Sequence, residues 1–168
     1  MLKKTAIALS MLCLPLTASA QWVAGGGYVN FSDDSNGVDL SLDAVYGSLA
    51  YKVESQDSAF TFLPELRLGT GVSDDKENGF KVEIDRYIAI SARAQYDYSN
   101  GVFVFVTPSY ANLDTKVSGY GYSVSDDEWD FGVGAGLGYN INENVSIEAS
   151  YDRYDDVDAF GVGIKYAF

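Results

Sequence analysis

The chain has 168 residues, 47% of them hydrophobic, and 24 acidic against 11 basic side chains give a formal net charge of −13. So acidic a surface makes nucleic acid or anionic lipid a poor electrostatic partner. There is no histidine, and the one cysteine is Cys13, so an imidazole-based site and a disulfide framework are both excluded.

The chain opens with Lys3 and Lys4, an apolar run from Ala6 to Leu16, and Thr17-Ala18-Ser19-Ala20 before Gln21. A short positive segment, an apolar core too short to span a bilayer and an A-x-A site predict a signal peptide over residues 1–20. The residues before Cys13, Met11 and Leu12, do not suit lipidation. The predicted domain, 21–168, then holds 148 residues without cysteine, 9 basic against 24 acidic, a net of −15. No later run approaches the ~20 apolar residues of a membrane helix, whereas a membrane strand needs only ~9–11 with one apolar side.

The first strand is predicted over Trp22–Phe31, with its facing blurred by Gly25-Gly26-Gly27. After the polar loop Asp33–Gly37, the second, Leu40–Glu54, sets Val45, Leu49, Tyr51 and Val53 against Tyr46, Ser48, Lys52 and Glu54. Ser55–Ser58 reads as a turn. The third strand, Ala59–Val72, places Phe60, Phe62, Leu66 and Leu68 opposite Glu65 and Arg67, with Pro64 awkward because it cannot donate to a ladder. Ser73–Gly79 reads as a second polar loop.

The fourth strand, Val82–Tyr98, alternates Ile88, Ile90, Ala92, Ala94 and Tyr96 with Ser91, Arg93, Gln95 and Asp97. Ser99-Asn100-Gly101 has the Asn-Gly chemistry of a hairpin turn. The fifth, Val102–Leu113, is apolar on both parities, and Asp114–Glu128 reads as the longest loop. The last three strands are the most regular. Phe131, Val133, Ala135, Leu137 and Tyr139 oppose a run of glycines, Val145, Ile147, Ala149 and Tyr151 oppose Ser146, Glu148, Ser150 and Asp152, and Phe160 to Phe168 alternate with Gly161, Gly163, Lys165 and Ala167. A tight turn at Asn142–Asn144 and an acidic loop, Tyr154–Asp158, join them. Eight strands in a meander predict an all-β, eight-stranded antiparallel up-and-down barrel.

Alternation alone leaves open whether the apolar set points inward, as in a lipocalin-like cup, or outward into lipid. Glu65, Arg67, Arg93, Glu148 and Lys165 sit at mid-strand on one parity, and charges of both signs can neutralise one another in a narrow interior but not in lipid. Tyr51, Tyr96, Tyr98, Tyr139, Tyr166 and Phe168 fall at the short-turn ends, and Phe31, Tyr87, Tyr110, Trp129, Tyr151 and Phe160 towards the long-loop ends. Two such belts match the aromatic girdles of a transmembrane barrel. Ten residues at ~3.3 Å and ~40° tilt climb roughly 25 Å, the height of its apolar band.

The glycine-alternating run Gly132–Tyr139, the strand Asn144–Tyr151 and the closing Gly161-Val162-Gly163-Ile164-Lys165-Tyr166-Ala167-Phe168 carry a resemblance to small bacterial outer-membrane barrels of the OmpA/OmpX type. The resemblance spans residues 21–168. It implies an outer-membrane location reached by export, contact with outer-membrane lipid and lipopolysaccharide, and Tyr166 and Phe168 as a signal to the barrel-assembly machinery. The peptidoglycan-binding domain of longer relatives has no counterpart here. Enzymatic barrels of this size resemble the chain in architecture but work through a histidine, so the expectation is a non-enzymatic monomer without catalytic residues or cofactor.

The five interior charges are expected to form a structural network. Asp74, Asn78, Gly79 and Asp85 echo a calcium loop, but Lys76 occupies a ligand position, so no dedicated metal site is expected. Acids at Asp33, Asp34 and Asp39, at Asp74, Asp75 and Glu77, at Asp126, Asp127 and Glu128, and at Asp155, Asp156 and Asp158 gather at one rim, where weak divalent-cation contacts are the expectation. The functional expectation is a structural or surface-interaction barrel working through these acidic loops. A narrow porin-like channel and a soluble periplasmic carrier are the alternatives.

Overall fold

The computed structural model describes residues 21–33, 40–54, 59–77, 80–119, 122–155 and 157–168. The predicted signal peptide and the Ser55–Ser58 turn lie outside them. Nine strands are described: β1 (Gln21–Asp33), β2 (Leu40–Glu54), β3 (Phe60–Gly71), β4 (Asp74–Glu77), β5 (Phe80–Asp97), β6 (Val102–Gly119), β7 (Tyr122–Asn140), β8 (Val145–Tyr154) and β9 (Val157–Ala167). Each barrel strand pairs antiparallel with its sequence neighbour, except that β3 pairs directly with β5, and β1 pairs with β9 to close an eight-stranded barrel. Short β4 pairs only with the upper end of β5, outside the ring.

The facing is decided by which parity the barrel hides. Glu65, Arg67, Arg93, Glu148 and Lys165 are all buried, while Phe62, Leu68, Ile90, Phe131, Leu137 and Ile164 stand exposed on the outside. A water-soluble cup would reverse both sets. The two strands whose facing the sequence leaves open resolve on the same rule. β1 turns Val23, Val29 and Phe31 inward and Trp22 and Tyr28 outward; β6 turns Phe103, Phe105, Thr107 and Ser109 inward and Val104, Val106 and Tyr110 outward.

Proline is tolerated where the ladder lapses. Pro64 lies between the pairs Ala50↔Glu65 and Val53↔Phe62 of β2 and β3, and Pro108 beside the gap between Ser91↔Ser109 and Ala94↔Val106 of β5 and β6. Neither strand loses a hydrogen bond that the proline would have had to donate. At the rim that carries both ends of the sheet, Gly101 adopts φ 85° in the β5–β6 turn. The Asn142 side-chain oxygen accepts from the amides of Asn144 and Val145 at 2.9 and 2.8 Å in the β7–β8 turn.

The structure differs from the sequence expectation in four places. Asp114–Glu128 is not a loop: β6 and β7 stay paired from Asp114↔Asp127 to Gly119↔Tyr122, a hairpin rising past the barrel. Thr115, Val117, Tyr122 and Val124 favour strand, while the polar and acidic residues between them leave no apolar alternation to read. Asp74–Glu77, read as loop, forms β4, and the acidic turn after β8 shrinks to the residues between Tyr154 and Val157, with Asp155 at φ 40°. Finally, Phe31 and Tyr87 do not belong to the outer aromatic belt. They are 4% and 2% exposed, inside the lumen.

Candidate functional site

Halfway along the lumen, β3, β5, β8 and β9 each aim a charge at the axis. Arg93 holds Glu148 with both guanidinium ends, Nη1 to Oε2 at 2.6 Å and Nη2 to Oε1 at 2.9 Å. Arg67 Nε donates to Glu65 Oε1 at 2.5 Å, and Lys165 Nζ donates to Glu65 Oε2 at 2.6 Å and to Ser48 Oγ at 2.8 Å. Lys165 also lies 3.6 Å from Glu148, and Arg93 3.9 Å from Glu65, so the pairs are linked into one group. All five residues singled out by the sequence are brought together.

The sequence reading missed a sixth member. Asp152, buried on β8 two positions beyond Ser150, lies 3.9 Å from Arg67 and accepts from Ser150 Oγ at 3.2 Å. It shares parity with Glu148, which was the available signal. Three carboxylates now face three cations, a neutral set, as a layer cut off from water requires. Arg93 also stacks 3.9 Å over the Phe105 ring, and Arg67 5.4 Å over Tyr46.

Above the charges the lumen is filled by rings. Tyr87 meets Phe31 and Tyr46 edge to face at 5.3 and 6.4 Å, among Leu42, Ile84 and Tyr154. Ser109 Oγ donates to the Tyr154 hydroxyl at 3.1 Å. The glycines of β7 make room for large side chains along the whole lumen, from Phe103 beside the lower cavity to Tyr154 in the ring layer. A Cβ at Gly138 would come within 2.2 Å of Phe103, at Gly136 within 2.2 Å of Phe105, at Gly134 within 1.9 Å of Asp152 and at Gly132 within 2.3 Å of Tyr154. The bare wall of β7 is the trough in which its neighbours' large side chains lie. Gly27 serves Tyr46 in the same way, its missing Cβ falling 2.6 Å from the phenol oxygen.

Below the charges, a cavity of about 60 Å³ opens towards the end that carries the termini, between Lys52, Gln95, Asn140, Glu143 and the charged layer. That is room for about two waters. Ser91 Oγ, Arg93 Nε and Thr107 Oγ1 are buried without a protein partner. Among the described residues, rings fill the lumen above and ion pairs bridge its centre. Among the described residues no group of acids could hold a metal ion, and the site is chemically a set of paired charges. Asn78, Gly79, Asp34, Asp39 and Asp156 lie outside the described residues.

At the opposite rim, the ladder between β7 and β8 ends at Gly132↔Tyr154, whereas β7 continues upward paired with β6 alone. From Tyr122 to Phe131 its second edge has no strand partner among the described residues. Tyr110 and Trp129 stack at 5.2 Å at the foot of this extension. At the lower rim, Tyr166 and Phe168 stack at 6.4 Å on the outer surface, and the Phe168 amide donates to the Trp22 carbonyl at 2.8 Å.

The family model for the outer membrane protein beta-barrel domain matches residues 5–168. Among solved structures the chain is similar to Ail, the attachment invasion locus protein of Yersinia pestis, crystallised with the heparin analogue sucrose octasulfate. The identity is 19%, covering 90% of this chain and 100% of that one, with a TM-score of 0.66. It is also similar to Neisserial surface protein A, at 15% identity, 90% and 98% coverage and a TM-score of 0.61. A third is the N-terminal β-barrel domain of Pseudomonas aeruginosa OprF, at 18% identity, 88% and 97% coverage and a TM-score of 0.57. No curated protein matches the sequence. What is common at these identities is the fold.

Proposed function

The chain belongs to the outer membrane protein beta-barrel domain family, and from that premise we propose that it is a closed, non-enzymatic barrel that acts at the cell surface through its outer rim. The observation that carries this reading is the free edge of β7. Ten residues of extended backbone, Tyr122 to Phe131, stand above the last β7–β8 pair with one row of amides and carbonyls unpaired by any described strand. An extended segment of another molecule can add to such an edge by main-chain hydrogen bonds. The edge carries Asp126, Asp127, Glu128 and Asp130, so a basic segment is favoured and a polyanion disfavoured. In this the rim differs from what the sulfated ligand reported with Ail would call for.

The filled lumen speaks against the porin reading, since eight strands leave an interior just wide enough for side chains. The absence of histidine and the mutual pairing of the buried acids and bases speak against catalysis. Tyr166 and Phe168, stacked on the outside of the last strand, suit a handle for the assembly machinery.

The test compares cells displaying the intact barrel with cells displaying a variant shortened across 115–126. The probe is a biotinylated ten-residue peptide alternating lysine and valine. Saturable binding to the intact barrel and its loss in the variant are expected, with no single-channel conductance from either in a planar bilayer. Equal binding by both, or a conducting barrel, would overturn the reading.

A further inference from the structure

The apolar band around the outside of this barrel is uneven. On β8 it runs from Val145 to Tyr151 and on β1 from Trp22 to Tyr28, each a climb of roughly 15 Å. On β9, between them, Phe168 to Phe160 climbs roughly 20 Å. Across the barrel, Tyr139 to Trp129 on β7 climbs roughly 25 Å and Tyr96 to Ile88 on β5 roughly 20 Å.

The first outward polar groups follow the same slope. Arg153 stands roughly 20 Å above the lower end of β8 and Asn30 roughly 20 Å up β1. Arg86 and Asp114, paired at 3.4 Å, stand roughly 30 Å up β5 and β6. On the low side these groups are tied into a polar shelf. Arg153 lies 3.6 Å from Asp158, and Asn30 Nδ2 donates to Ser41 and Asp43 at 2.9 and 2.8 Å. The Tyr28 hydroxyl donates to Asp43 as well. On the high side the one polar side chain below the ion pair, Asn112, is 2% exposed and covered by its neighbours.

Lipid cannot satisfy such a shelf, so hydrocarbon must end below it. An undisturbed band of ~25 Å fits the β5–β7 side and overruns the other by several ångströms. A shallow apolar depression of about 660 Å³ runs from this face onto the lower part of β7, between Tyr28, Val162 and Ile164 on one side and Leu137 and Tyr139 on the other, floored by Gly26 and Ala149. Chain ends displaced by a shortened leaflet have room to lie there.

We propose that the β8–β9–β1 face holds the surrounding outer leaflet in a thinned state, its headgroups roughly 5–10 Å nearer the opposite leaflet than against β5 and β6. The occupant of this face is ordinary membrane lipid in a compressed annulus.

Spin labels test it in a Cys13→Ser background, since Cys13 is the only cysteine. Asn30→Cys on β1 and Ile88→Cys on β5 stand at the same height by the strand register, ~20 Å above Trp22. The labelled barrel is placed in phosphatidylcholine vesicles of twelve- and of eighteen-carbon chains, and accessibility to oxygen and to a water-soluble nickel chelate is read. Asn30 is expected to stay nickel-accessible in both, while Ile88 becomes oxygen-accessible in the thicker bilayer. If Asn30 becomes as oxygen-accessible as Ile88 in eighteen-carbon vesicles, the leaflet is not thinned and the proposal fails. A rigid tilt, seen as opposite depth shifts for lower-rim labels at Val145→Cys and Tyr98→Cys, would also overturn it.

Discussion

The lumen is closed twice, by charges at its centre and by rings above, and the two layers are stable for opposite reasons. In the charged layer no residue stabilises alone. Each ion has lost its water and depends on partners such as those that Arg93 finds in Glu148 and Lys165 in Glu65. In the aromatic layer each ring contributes its own buried area, and Tyr87 needs only space and contact. The charged layer is therefore a matter of pairing, and the aromatic layer a matter of volume.

The largest effect should come from breaking one pair. Arg93→Met takes from buried Glu148 both of its hydrogen bonds, leaving only Lys165 at 3.6 Å, and should cost about 3–5 kcal/mol in denaturant unfolding from detergent micelles. Adding Glu148→Leu should return much of that loss, and simple additivity of the two changes would mean that the layer is not a coupled set. Tyr87→Ala should cost nearly as much, about 3–4 kcal/mol, by opening a cavity. Here a second truncation, Tyr46→Ala, should deepen the loss, and a rescue would erase the distinction between the layers.

Smaller effects probe the glycine trough. Gly138→Ala sets a methyl against the Phe103 ring and the Ile147 carbonyl, 2.2 and 2.6 Å away, and should cost about 1–3 kcal/mol. Pairing it with Phe103→Leu should relieve part of this. Gly47→Ala on the outer surface, whose nearest atom is 4.0 Å off, should be neutral or stabilising in the same assay. Smallest of all, Tyr154→Phe removes the hydrogen bond from Ser109 and should cost about 0.5–1.5 kcal/mol, with the ring packing intact.

These layers were unequally visible in the sequence. A charge at mid-strand beside lipid-facing leucines has one place to go, so Glu65 and Arg67 announce the interior without any structure. Asp152 shares the parity of Glu148, but it stands beside the acidic turn after its strand, where a carboxylate has water as an alternative. The aromatic layer was harder to see, because a ring at a strand end suits either face. Phe31 and Tyr87 were therefore assigned outward until cross-strand register placed them. The glycine alternation of β7 reads as a weak strand until its register with β6 and β8 shows whose side chains fill the gaps. The tall hairpin is hidden because residues 114–128 have the polar composition of a loop.

The pairing of β1 with β9, from Val23↔Ala167 to Asp33↔Val157, has a consequence in time. The first strand to be made waits for the last before it gains its second neighbour. Until then every partial sheet, however long, presents two raw edges to whatever it meets. No portion of the ring can be completed ahead of the rest, so both edges stay open until Val157–Ala167 has been made and docked.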